Sequence, residues 1–236
     1  MRFMEVIVLS LGVALATVSA RAQGTFQDLD FESATLTAGP PSFVPVSSAL
    51  PGWTAYIGTV EQTQVQQNAY NTGQAVIDIF GPNYPAAGMP PFSPGVIDGN
   101  YSVLLQAGLL SDGITPENVS IAQTGTVPVG SQYLEFDAWL DLPSAQFTVS
   151  FDGVNLSPVT LGTGPNYSIL YGANIAPYAG QTGTLAFTAV VPSLSTSWIG
   201  LDDITFSATP EPSPLVLTGI GGVLFAIYRR FATERQ

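Results

Sequence analysis

Apolar and polar residues alternate with a period of two in several short stretches of this 236-residue chain. That is the pattern of strands with one buried face. Over 132–140, Leu134, Phe136, Ala138 and Leu140 fall on one face, and Tyr133, Glu135, Asp137 and Trp139 on the other. Phe147, Val149 and Phe151 share a side, and Asp152-Gly153 predicts a tight hairpin turn into a strand over Val154–Val159. Thr184–Val190 puts Leu185, Phe187 and Ala189 together. Trp198–Phe206 points Ile199, Leu201, Ile204 and Phe206 inward only if the register changes near Asp202-Asp203, which predicts a bulge. Ala75–Phe80 and Tyr101–Gln106 are two more strands. Gly81–Gly95 holds five prolines and three glycines and reads as a long loop. Turn residues recur about every 8–12 positions, which predicts an all-β sandwich or barrel.

The two ends break this pattern. Val6–Val18 is a mostly apolar run of 13 residues behind a short start containing Arg2, and Ala20-Arg21-Ala22 supplies small residues for cleavage. Residues 1–22 are therefore expected to be a signal peptide, read by signal peptidase at Ala20 and Ala22. The other end carries an uncharged run, Leu215–Tyr228, followed by Arg229-Arg230. A transmembrane helix over 213–228 is expected. It is short for a hydrocarbon core of about 30 Å, and the arginine pair marks the cytoplasmic side. The exported domain is then 23–209.

Charge changes the picture most. All five basic residues, Arg2, Arg21, Arg229, Arg230 and Arg235, lie in the two ends. Of the 17 acidic residues, only Glu5, Glu211 and Glu234 lie outside 23–209, so that segment has 14 acids, no cation and a formal charge of −14. Nucleic-acid binding is excluded, because nothing there can neutralise phosphate. A divalent cation is the simplest cationic partner. With no His, Lys or Cys anywhere in the chain, a Ser-His-Asp triad and a His- or Cys-based zinc site are impossible. Carboxylate chemistry is the main survivor. Without cysteine there are no disulfides.

Pro210-Glu211-Pro212, the short apolar span and the terminal Arg229-Arg230 resemble the PEP-CTERM sorting signal of Gram-negative bacteria. The resemblance covers 210–236. It implies recognition and cleavage by an exosortase, passage through an inner-membrane-tethered precursor, and a surface or extracellular-matrix destination often linked to exopolysaccharide. A second resemblance concerns the cargo. Asp28-Leu29-Asp30-Phe31-Glu32 with Pro51-Gly52-Trp53, and Trp198-Ile199-Gly200-Leu201-Asp202-Asp203-Ile204 at the other end, are similar to the opening and closing strands of galactose-binding-like jelly rolls. These are the sandwiches of many carbohydrate-binding modules. That resemblance implies a single jelly-roll β-sandwich whose first and last strands lie close together, joined in many modules by a structural calcium. Glu32 and Asp202, with Asp30 and Asp203, are the expected ligands; the alternative is that these acids face solvent or cap turns.

Flat rings beside acids and amides suit sugar stacking. Trp139, Tyr133, Glu135 and Asp137 on one strand face are the candidate polysaccharide contacts, with core packing as the alternative. Glu135 with Asp137 or Asp141 could also form an acid/base pair, since alternate strand residues lie about 7 Å apart. No motif supports this, and no catalytic residue is assigned. Three readings follow: a non-enzymatic surface or matrix protein binding polysaccharide, a purely structural or adhesive protein, and, remotely, a small carboxylate glycoside hydrolase.

Overall fold

A computed structural model describes residues 24–39, 42–69, 73–81, 84, 95–140, 146–191 and 196–208. Within them the alternating stretches become strands. In chain order these are β1 (Ser42–Pro45), β2 (Thr54–Ile57), β3 (Val60–Gln62), β4 (Gln64–Gln67), β5 (Val76–Phe80), β6 (Ser102–Leu109), β7 (Pro116–Glu117) and β8 (Val119–Thr126). They continue as β9 (Tyr133–Leu140), β10 (Phe147–Phe151), β11 (Val154–Leu156), β12 (Val159–Thr163), β13 (Ile169–Asn174), β14 (Thr182–Ala189) and β15 (Ser197–Ser207). One helical turn, α1 (Val46–Ala49), follows β1.

The strands make two sheets. The larger runs β1-β4-β5-β6-β15-β9-β13-β12, with β7 paired to β6; the smaller runs β11-β10-β14-β8-β2-β3. Among the described residues every strand pairing is antiparallel except β4 with β5. From β6 onward the chain passes repeatedly between the sheets, and the core lies between them. Phe31, Phe136, Phe151, Phe187 and Phe206 are fully buried there. Trp53 packs on Phe31 and Phe187 with centroids 5.9 and 6.4 Å apart. The all-β sandwich expected from the sequence is therefore present.

β10 spans the expected residues, and Asp152 (φ 48) and Gly153 (φ 75) form the hairpin turn, pairing Phe151 with Val154. In β14, Leu185, Phe187 and Ala189 are all fully buried. The register of β15 against β9 shifts between Asp202 and Thr205, the expected bulge, with Asp203 at φ 48. One expected strand is divided. The segment Val154–Val159 ends its first ladder at Leu156 and begins β12 in the other sheet at Val159. Pro158 between them has no N–H to continue the ladder. The opening Asp28–Glu32 segment is a turn rather than a strand, because Asp28 (φ 49) and Phe31 (φ 56) are left-handed.

The larger sheet is covered on both faces near its middle. Ile79, Val103, Leu105, Ala138 and Ile199 face the main core, while their neighbours Phe80, Leu104, Trp139 and Trp198 join Val96 and Ile97 in a second apolar cluster on the outer face. On β9 this cluster covers Trp139, and the strand as a whole alternates in sequence yet is buried at seven of its eight positions.

Among the described residues no helix is long and apolar enough to cross a membrane. The signal peptide 1–22, the sorting segment 210–236 and most of the loop Gly81–Gly95 lie outside the described residues.

Candidate metal centre

The opening turn is held by its own polar groups. The Asp28 carboxylate accepts the Ser33 N–H at 2.7 Å, and its carbonyl accepts Trp53 Nε1–H at 3.0 Å. Leu29 and Phe31 anchor the turn in the core. The Ile204 N–H donates to the Leu29 carbonyl at 2.9 Å, so the turn is tied to β15 just past its bulge. The turn and the bulge thus bring the two distant acidic pairs together.

A third segment joins them. Asp98-Gly99-Asn100 turns between the buried Ile97 and Tyr101. The Glu32 carboxylate accepts the backbone N–H groups of Asn100 (2.6 Å) and Tyr101 (2.9 Å) and the Asn100 side-chain amide (2.8 Å). Gly99 has φ +58, and a Cβ there would overlap the Glu32 carboxylate. Asp202 accepts Ser102 Oγ–H at 2.6 Å, the Asp98 N–H at 3.1 Å and the Asp203 N–H at 2.8 Å. Asp30, Glu32, Asp98, Gly99, Asp202 and Asp203 line a cavity of about 120 Å³.

Burial dominates the electrostatics. Asp202 is 1% exposed, and desolvation pushes its carboxyl up to about 8 despite the hydrogen bonds from Ser102, Asp98 and Asp203, with the charge of Asp203 adding to the rise. Burial likewise raises Asp28 to about 6, with smaller contributions from Asp30 and Glu32. Asp28 Oδ2 meets no hydrogen-bond donor among the described residues.

The donor chemistry fits a hard cation such as Ca²⁺, because every side-chain donor is an oxygen. As the side chains stand, no group of three or more carboxylates among the described residues is disposed to hold a metal. Glu32 and Asp202 spend their oxygens on N–H and O–H groups instead. The cavity is thus lined by carboxylates, two of which, Glu32 and Asp202, are taken up by hydrogen bonds. All four acids singled out from the sequence line it. Asp98, Asn100 and Ser102 were missed, although Asp-Gly-Asn between two apolar stretches is a turn signal.

The other candidate residues lie on β9, facing away from the core. Trp139 is 2% exposed and stacks on Trp198 with centroids 5.0 Å apart. Asp137 sits opposite Asp202 in the ladder and accepts Ser168 Oγ–H at 2.9 Å. Glu135 accepts Ser207 Oγ–H at 2.8 Å. Both acids are buried, and Tyr133 is half-buried. This face is covered rather than an open groove. Asp141 lies outside the described residues.

No protein-family model and no curated protein matches the chain. The solved structures to which the chain is similar include two domains. The K1 cleaved adhesin domain of Lys-gingipain from Porphyromonas gingivalis W83 aligns with 72% of this chain and 99% of its own, at 13% identity and a TM-score of 0.39. A family 11 carbohydrate-binding module from Clostridium thermocellum, in complex with a beta-1,3-1,4-mixed-linked tetrasaccharide, aligns with 74% of this chain and 99% of its own, at 11% identity and a TM-score of 0.35.

Proposed function

We propose that this protein is a non-enzymatic, exported β-sandwich of the galactose-binding-like jelly-roll type. A PEP-CTERM tail delivers it to the cell surface or extracellular matrix, where it binds polysaccharide and is stabilised by calcium. The observation that supports this most is the cavity where Asp30 and Glu32 meet Asp202 and Asp203. These are the acids carried by the opening and closing motifs, and they converge where such a module joins its chain ends.

Calcium would be held by Asp30, Glu32, Asp98, Asp202 and Asp203 in exchange for hydrogen bonds that Glu32 and Asp202 make here, and would supply charge neutralisation and a cross-link between the opening turn and β15. The protein's own part is to hold the carboxylates in place: Leu29 and Phe31 anchor the turn, the Leu29 carbonyl tethers it to β15, and the bulge at Asp203 presents adjacent acids. Thermal unfolding of the full chain tests this. The expected result is a higher midpoint in millimolar calcium than in chelator at equal ionic strength; equal midpoints would refute the calcium reading.

Glycan arrays test the ligand class. Retention of polysaccharide is expected, whereas self-association without glycan binding would favour the structural or adhesive alternative. Intact mass of the mature protein tests the processing. Loss of the residues before Gln23 and of those beyond the Pro210-Glu211-Pro212 region is expected, and a mature chain keeping both ends would refute it.

A further inference from the structure

We propose that the cleft between β4, β5 and the β2–β3 hairpin is a subsite for one uncharged sugar ring of a polysaccharide. The proposal rests on the polysaccharide reading above and assigns it a place.

The cleft follows from the parallel pairing in the larger sheet. β4 and β5 run parallel and are paired only at Gln66–Asp78 and Gln67–Ile79. Upstream, Gln64–Val65 and Val76–Ile77 line an opening instead of a ladder, a cavity of about 220 Å³. This is below the roughly 300 Å³ at which drug-sized sites begin, a size for one ring. The unladdered stretch is two residues on each strand, too short to template an added peptide strand.

Its polar lining is neutral: Gln62, Gln64, Gln66, Gln74 and Ser111, with no charged residue. In an exported segment with 14 acids and no cation, a charge-free concavity points away from metals and ionic ligands. Amides and hydroxyls both donate and accept, which matches sugar hydroxyls. Gln66 lies at the point where the β4–β5 ladder begins, and its amide is one of four in the lining. Phe43 stands directly opposite Gln66 in the β1–β4 ladder, on the same face, and is 67% exposed. It offers a flat apolar ring at the cleft's rim for the C–H face of a sugar.

The test uses the full chain in detergent against immobilised neutral glycans (a β-glucan, a galactan and a mannan) and an anionic polyuronate. Phe43→Ala and Gln64→Ala, at exposed positions, should each weaken retention on a neutral glycan by about tenfold with an unchanged melting midpoint. Val159→Ala, on the far edge of the sheet, should leave retention unchanged. Neutral-glycan binding undiminished in both cleft variants would overturn this placement while leaving the polysaccharide reading intact. Failure of the unsubstituted protein to bind any glycan would overturn both, and retention on the polyuronate alone would overturn the uncharged ligand class.

Discussion

Asp202 shows how burial sets chemistry at a single residue. Its folded-state pKa of about 8, like the value of about 6 at Asp28, lies above the ordinary 3.8. Between those values the folded protein holds protons that the unfolded chain has released. Stability from these groups is present at acidic pH and is lost as pH rises toward 8. In chelator, the melting midpoint should therefore be higher at pH 5 than at pH 8. Asp202→Asn should flatten that slope, and an unchanged slope would remove Asp202 as its source. Glu32 acts differently, because it collects three N–H donors from the 98–101 turn. Glu32→Ala should cost about 2 kcal/mol in urea unfolding even without metal. A loss below about 0.5 kcal/mol would show that the turn holds its shape unaided.

At the scale of elements, the Asp152-Gly153 hairpin is the cleanest case of local sequence dictating structure. Gly153 is left-handed, and a Cβ there would meet nothing within 4 Å. Gly153→Ala should thus report conformational strain alone, about 1 kcal/mol, seen as a melting midpoint a few degrees lower. A neutral effect would mean that the turn relaxes. Strands rich in large apolar residues, such as β10, β14 and β15, were legible in the sequence because their inward positions are aromatic or branched. β8 was not: its inward face includes Gln123 and Gly125, and on its other side Thr124 and Thr126 bond hydroxyl to hydroxyl with Thr184 and Thr182. β13 was missed for a similar reason, since Gly172 and Ala173 dilute its period.

At the scale of the whole molecule, residues 23–209 carry 14 acids and no basic residue. Self-repulsion opposes the compact state and is screened by salt. Sodium chloride should raise the melting midpoint modestly. Calcium at matched ionic strength should raise it further, and this second increment should fall sharply in Asp202→Asn. If sodium and calcium act equally, screening alone accounts for the stabilisation and no specific cation is held.

The chain's periodicity by itself determined which residues share a strand face, where the hairpin and bulge fall, and, through the absence of His, Lys and Cys, which chemistries are closed. A period of two cannot say which faces become covered. Trp139 and Asp137 alternate as a solvent-facing set would, yet a second apolar cluster buries Trp139 and its neighbours. Nor can it bring together residues far apart in sequence. Glu32 meets Asn100 across 68 positions and Asp202 meets Ser102 across 100, because the packing of two sheets, not local propensity, puts the opening turn, the 98–101 turn and the β15 bulge around one cavity. The cleft beside β4 has the same origin: a parallel pairing of only two positions is a property of how the strands cross, and no single strand encodes it.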